Sequence, residues 1–353
     1  MRTLRSVLPI DGTHGEGGGA LLRTELAVSA LTQQPVQISH IRGSTKFPGL
    51  NPEDLTVAQV LASICDAEMT GAELGSHSIT FVPRRAPMPF RGEAPYIENA
   101  SGRGFACSQV VAASLLPVLA RAGGISELRV LGETYGLGIL TYDYFEHVTL
   151  GALRRLGLYA YSRQISAGFG RSSKGEIGVE IEPSVLHGIQ WSAKGRLESM
   201  QATIAISQLS PTIAERGLSH LQKLANHANV RLDVEVVEPP CDSSGVHVTI
   251  WSEYDTALGG ATSMGQRSIR MEAVVQSAFD SFMEWHNSEA TVDTYLGDQI
   301  LLAAAFAETE STFVVQRLTE RFLTIAWVIK QFLPIRITIR GNVNELGLVS
   351  VKR

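Results

Sequence analysis

The strand-like run Ser6–Ile10 passes into Asp11-Gly-Thr-His-Gly-Glu16-Gly-Gly-Gly19, and an apolar, helix-periodic run (Ala20–Leu31) begins straight after it. A strand, a glycine-rich turn and a helix in that order point to a layered α/β protein. They also create a particular kind of site. Backbone amides at a helix start attract an anion, and glycine lets a phosphate approach closely. Arg23 projects from the first turn or so of the helix, near the same place. Glu16 is a candidate to hold a metal ion or a ribose hydroxyl. A plain tight turn is also rich in glycine, so the loop needs support from elsewhere in the chain.

Helical periodicity recurs at Pro52–Cys65, Ser108–Ala120, Asp143–Leu156, Pro211–Ala228, Met271–His286, Tyr295–Ala307 and Glu320–Phe332. Strand-like runs alternate with these, among them Val36–Ile41, Ser78–Val82, Glu127–Leu131, Leu158–Gln164, Val246–Trp251, Thr312–Val315 and Arg336–Arg340. Three stretches look alike in outline, each roughly eighty residues of strand, helix, strand, helix and a closing strand pair. A chain of 353 residues can bury a large core and usually forms two domains. With 44% hydrophobic and 18% charged residues it reads as soluble and globular. A net charge of −5 argues against a general nucleic-acid binder, though not against a local grip on one RNA end. The three cysteines (Cys65, Cys107, Cys241) are scattered, without metal-ligand spacing, and read as reduced thiols of a cytoplasmic protein. The N-terminus carries no signal-peptide pattern. The best apolar run, Val110–Ala120, is short and contains Pro117, so no membrane association is expected.

Further motifs fall in a telling order. Ile41-Arg42 is followed by Lys46-Phe-Pro-Gly-Leu50. Gly71-Ala-Glu-Leu-Gly-Ser76 leads into a strand ending Phe81-Val-Pro83. Tyr295-Leu-Gly-Asp298-Gln299 precedes Phe332-Leu-Pro-Ile-Arg336. Together these resemble the RNA 3'-terminal phosphate cyclase family over nearly the whole chain. The resemblance implies three repeated strand-helix-strand-helix-strand units, as in the cyclase and enolpyruvyl transferase superfamily, with a smaller α/β domain inserted late. Here residues 1–185 and 271–353 would form the large domain and 186–270 the insert, with Pro183 and Gly259-Gly260 near its boundaries. It also implies a chemistry. A histidine attacks the α-phosphate of ATP, the adenylyl group moves to an RNA 3'-phosphate, and the neighbouring 2'-hydroxyl displaces AMP. Arginines and Mg²⁺ or Mn²⁺ would neutralise the developing charge. By the same resemblance Glu16 is placed for metal and nucleotide, with Gly17, Gly18 and Gly19 against the phosphates. Arg23 and Arg42 would clamp phosphates, as the planar guanidinium fork allows. Tyr295, Asp298 and Gln299 would line the nucleotide pocket. Each has an ordinary alternative: Arg23 pairs with Glu25 or solvent, Asp298 caps or pairs locally, and Tyr295 packs half-buried.

The departures are equally specific. Counting back from Phe332-Leu-Pro-Ile-Arg336, the family's nucleophilic histidine is Arg321 here, and no histidine follows His286. Arginine stays protonated and cannot be the nucleophile, but it can bind a phosphate. The second arginine of the Arg42 loop is Thr45, and the family's Gln-His pair is Glu53-Asp54. The glutamine expected on the helix after Ser101 falls at Ala113, with Gln109 one turn earlier. The runs Arg171-Ser-Ser-Lys-Gly175 and Tyr135-Gly-Leu-Gly-Ile-Leu-Thr-Tyr-Asp143 also differ from the pattern. His14 is the histidine that falls near the site and is a candidate substitute; the alternative is a loop histidine bonded to backbone. The remaining histidines read as surface or core residues. The C-terminal basic residues, interleaved with acids, read as a mixed solvated face.

The reading is a divergent cyclase-like protein that binds ATP or another nucleotide with Mg²⁺ or Mn²⁺. It would activate an RNA 3' end, or a small phosphorylated or carboxylated substrate, without a covalent histidine intermediate. The alternative is a non-catalytic scaffold for RNA or a protein partner, as among histidine-lacking relatives in ribosome maturation. Both require the N-terminal turn to meet the helix at Tyr295.

Overall fold

The structure is a computed structural model that describes residues 6–97, 106–136, 140–170 and 173–353. Three of its four sheets repeat one design. In the first, β1 (Leu8–Asp11) pairs parallel with β2 (Val36–Ser39) across α1 (Gly19–Thr32). After α2 (Pro52–Cys65), β3 (Glu68–Thr70) and β4 (Ile79–Val82) return antiparallel, giving the order β1-β2-β4-β3. The second unit has β5 (Arg91–Glu93), α3 (Ser108–Leu119) and β6 (Ser126–Gly132). There follow α4 (Tyr142–Tyr144), a π-helical turn (Phe145–Thr149), α5 (Leu150–Arg155), β7 (Ala160–Ser166) and β8 (Gly175–Ile181). Its sheet order, β5-β6-β8-β7, repeats the same parallel and antiparallel pairings. A parallel pair needs a crossover, and a helix supplies it in both units.

The third unit opens with β9 (Gln190–Trp191), and its crossover is interrupted by a second layer. That layer is β10 (Leu197–Ser207), α6 (Pro211–His227), β11 (Asp233–Val237), β12 (Gly245–Tyr254), β13 (Ala257–Met264) and α7 (Met271–His286). The unit then resumes with α8 (Leu296–Ala305), β14 (Ser311–Val315), α9 (Glu320–Phe332), β15 (Arg336–Arg340) and β16 (Gly347–Lys352). Its sheet order β15-β16-β14-β9 closes the third copy, while the insert forms its own sheet, β11-β10-β12-β13. The fold is therefore mixed α/β, with three repeated units and an inserted small sheet.

The large core lies where α1 packs against α2, α3 and α9. Leu22, Leu26, Leu61, Leu116, Ile300, Phe313 and Phe322 are all fully buried there. Each such side chain contributes roughly 1.5–3 kcal/mol by leaving water. A second core forms from Ile204, Val248 and Ile250 of the insert sheet with Val275, Phe279, Phe282 and Trp285 of α7. Apolar spacing along α7 thus draws it onto the insert, past a boundary drawn at residue 270. The Gly259-Gly260 pair is no boundary either. It lies within β13, paired with Ser252 and Trp251, and a Cβ on Gly259 would come within 2.6 Å of the Trp285 ring. Among the described residues no helix is long and apolar enough to cross a membrane, and the three cysteines are free.

Candidate functional site

The N-terminal turn is fixed against α9. Gly15 and Gly17 have φ of 58° and 62°, which an L side chain rarely adopts. A side chain at Gly15 would also run into the Thr324 hydroxyl of α9. The Glu16 amide donates to that hydroxyl Oγ1 at 3.0 Å. The His14 ring stacks on Trp327, with ring centroids 3.7 Å apart and planes at 21°. His14 therefore packs along α9 and is not among the residues lining the cleft described below. The ring is thus held by stacking rather than by the backbone hydrogen bond that a loop histidine would make.

Glu16 and Asp298 meet at Arg321. The Arg321 Nε lies 3.4 Å from Glu16 Oε1 and 3.6 Å from Asp298 Oδ2. The turn after β1 and the first turn of α8 thus converge on one guanidinium. Asp298 is nearly buried, and burial lifts its carboxyl to about 7; the Glu16 charge adds to the rise, while Arg321 and the Thr319 hydroxyl oppose it. Its Oδ2 has no hydrogen-bond partner among the described residues. The ion pair with Arg321 is its compensation.

Arg23 and Arg42 also come together, but around a carboxylate. Arg23 donates to Asp54 Oδ1 at 2.6 Å and Arg42 Nε to Asp54 Oδ2 at 2.7 Å, with Asp54 fully buried. Asn51 caps α2 by accepting the Asp54 amide, which fixes the acid on the first turn of that helix. Gly19 makes room for the cluster, because a Cβ there would overlap both guanidinium groups. Burial tends to lower the Arg42 pKa, but Asp54 outweighs it and holds the group above its ordinary value. The sequence places Gly19 against phosphate; the structure places it beneath two arginines. Glu53, beside Asp54, accepts from the Cys107 amide at 3.0 Å and from Asn51, so it serves α3.

A cleft of about 710 Å³ opens between the large core and the insert. Arg23, Arg321 and Arg317 stand on it with Asp298 and Glu284, among hydroxyls such as Thr24, Ser114, Thr149, Ser263 and Ser281. Tyr295 stands at its edge and is 48% exposed. Gln299 also lines it, but accepts from Thr149 Oγ1 at 2.7 Å and donates to the Tyr295 carbonyl. Arg42, Glu16 and Gly17–Gly19 are not on the lining, so they reach the cleft only through Arg23 and Arg321. Gln109 lines it with its amide donated to the Thr134 carbonyl. Arg317 pairs with Glu284, in keeping with a mixed charged face.

Two lining residues are invisible to motif reading. Asp293 accepts from the Tyr144 hydroxyl at 2.7 Å, the Gly260 amide at 2.9 Å and the Tyr295 and Leu296 amides. It ties α4, β13 and the start of α8 together, and burial lifts its carboxyl despite these donors. An acid three residues before a helix start was the available signal. His247 of β12 is the histidine among the described lining residues; burial pushes it down to about 3, so it is neutral. Ser101, Leu137–Ile139 and Arg171-Ser172 lie outside the described residues.

The metal expectation can be tested on the donor set. Among the described residues no group of three or more His, Cys, Asp or Glu side chains is arranged to hold an ion. Glu16 and Asp298 offer two carboxylates with a guanidinium already between them. Two carboxylates are enough to hold such an ion together with waters and phosphate oxygens, but here the Arg321 guanidinium occupies the place between them.

Comparison with known proteins agrees with the motif order. The family described as RNA 3'-terminal phosphate cyclase matches residues 14–339. The proteins called RNA 3'-terminal phosphate cyclase from Methylococcus capsulatus and Nostoc punctiforme are 31% and 32% identical, each over 98% of this chain and over 96% and 99% of their own length. The protein of that name from Methanopyrus kandleri is 31% identical over 98% of this chain and 99% of its own. Among solved structures, the enolpyruvyl transferase NikO from Streptomyces tendae aligns at 12% identity and a TM-score of 0.39, over 98% of this chain and 48% of that one. The chain belongs to the RNA 3'-terminal phosphate cyclase family.

Proposed function

We propose that the protein is a divergent cyclase-like, ATP-binding enzyme of the cytoplasm. In this reading it activates a terminal phosphate or carboxylate, including that of an RNA 3' end, by direct transfer within one cleft. The observation that carries the reading is the convergence of Glu16 and Asp298 on Arg321, beside Arg23 at the rim of the cleft. Tyr295 supplies an exposed ring on which a base can stack, and the free edge of Arg321 supplies phosphate donors. The acceptor's terminal oxygen attacks the α-phosphorus of ATP and pyrophosphate leaves. With an RNA 3'-phosphate as acceptor, the neighbouring 2'-hydroxyl then closes on the phosphate and AMP leaves. No protein–nucleotide bond is needed, which suits a site whose residue 321 is a permanent cation. Any divalent ion would arrive on the nucleotide.

A second reading is favoured by the Asp54 carboxylate, which occupies both Arg23 and Arg42. A scaffold that binds RNA or a protein partner without turnover has no use for a free arginine clamp. One assay separates the two. The protein is incubated with ATP labelled at the α-phosphate and Mg²⁺, with and without 3'-phosphorylated RNA. The enzyme reading expects AMP release that depends on the acceptor, with no label on the protein. A covalent label overturns direct transfer. Absence of both AMP release and calorimetric ATP binding leaves the scaffold.

A further inference from the structure

The acid pair of this site already contains a cation. Arg321 is the second residue of α9, and Thr319 caps that helix by accepting the Phe322 amide. A cation in the first turn of a helix meets the positive end of the helix dipole, which disfavours it. The helix dipole therefore gives no reason for a cation here. The two carboxylates do: Glu16 from the turn after β1 and Asp298 from α8 face each other across the Nε, at 3.4 and 3.6 Å. Without that charge, the site would bring together two anions, one of them nearly buried and with an oxygen that accepts no hydrogen bond among the described residues. Like charges so placed are relieved by a cation or by a proton on one acid, and here a cation stands between them.

We infer that the Arg321 guanidinium is a built-in replacement for a divalent ion, filling the cation seat between Glu16 and Asp298. The consequence is a site whose cation is covalently part of the chain. It cannot be lost to a chelator, exchanged for another metal or carried off with product. The guanidinium keeps N–H groups beyond the Nε, and its side chain is 42% exposed. Those donors can meet an incoming anion while the Nε edge holds the acids. The inference stands independently of the nucleotide reading, because it concerns the seat and not what binds beside it.

The probe is Mn²⁺ alone, followed by electron paramagnetic resonance and by calorimetry on the full chain. Wild type is expected to bind no Mn²⁺ at this seat up to about 1 mM, the weak end of carboxylate sites. Arg321→Ala is expected to bind Mn²⁺ at least about tenfold more tightly, and adding Glu16→Gln to remove that binding. Arg321→Lys, which keeps the charge, is expected to exclude the ion as wild type does. Thermal melting guards against a misfolded variant: Mn²⁺ should raise the melting temperature of Arg321→Ala and leave wild type unmoved. The inference is overturned if wild type binds Mn²⁺ as tightly as Arg321→Ala, or if folded Arg321→Ala binds none.

Discussion

Two charged triplets sit on either side of the start of α1, and they are mirror images in charge. Arg23–Asp54–Arg42 has two cations around one acid, while Glu16–Arg321–Asp298 has two acids around one cation. The first is short and closed, at 2.6 and 2.7 Å, on an acid with no exposure. The second is long and open, at 3.4 and 3.6 Å, on an arginine that is 42% exposed. Buried short pairs are costly to break and exchange little with ligands, whereas long half-exposed pairs contribute little stability and yield readily. The comparison assigns the first triplet to holding α1 and α2 together, and the second to meeting whatever enters the cleft.

The largest effect is expected where the closed triplet is broken. Asp54→Ala leaves two mostly buried guanidinium groups facing each other, at a cost of about 3 kcal/mol or more. Chemical denaturation should show that loss, with a melting temperature lower by about 5 °C or more. Sulfate should restore part of it in the variant and little in wild type, because the variant alone has an open anion seat. A loss below about 1 kcal/mol would move this triplet into the same class as the exposed one.

Glu25, on the same helix as Arg23, shows what an acid costs with no cation at all. It is fully buried, neither oxygen has a hydrogen-bond partner among the described residues, and burial raises its carboxyl to about 9. The sequence offered Glu25 as a partner for Arg23, but Arg23 turns to Asp54 instead. Between its ordinary value of 4.5 and about 9 the folded chain holds this proton more firmly than the unfolded chain. Stability therefore falls as pH rises through that window, and the penalty is absent below it and complete above it. Glu25→Gln should remove the slope. Its stability relative to wild type, from urea unfolding, should improve by roughly 5 kcal/mol between pH 5 and pH 9. A constant difference across that range would mean that Glu25 finds a cation after all.

The fold was far more legible than these pairings. Apolar residues locate α2, α7 and α9 to the residue: α7 and α9 each bury one stripe along their length, while α2 is buried nearly all round. β13 escapes notice because Ala-Leu-Gly-Gly-Ala-Thr-Ser-Met has no β-branched alternation; it becomes a strand by pairing with β12 and by leaving room for Trp285. β5 is short, polar and exposed, so nothing local marks it. At the site, motif order identified Glu16, Arg23, Arg42, Asp298 and Arg321 as neighbours. What each one holds depends on long-range contacts. Arg23 and Asp54 are 31 positions apart, and Tyr144 and Asp293 are 149 apart. Side-chain chemistry limits the possible partners, but only the folded chain selects among them.

The smallest effect sharpens the comparison at its edge. His14 lies two residues from Glu16, yet its ring rests on Trp327 and takes no part in either triplet. Stacking of two exposed or half-exposed rings adds about 0.5 kcal/mol, so His14→Ala should lower stability by that order. Calorimetric titration with ATP is the sharper measurement. If the open triplet is the ligand-facing one, affinity should stay within about twofold of wild type, since a twofold change is below half a kcal/mol. A tenfold loss would mean that the imidazole leaves Trp327 for the cleft when ligand arrives. The boundary between the part of the turn that packs on α9 and the part that meets ligand would then fall before His14, rather than between His14 and Glu16.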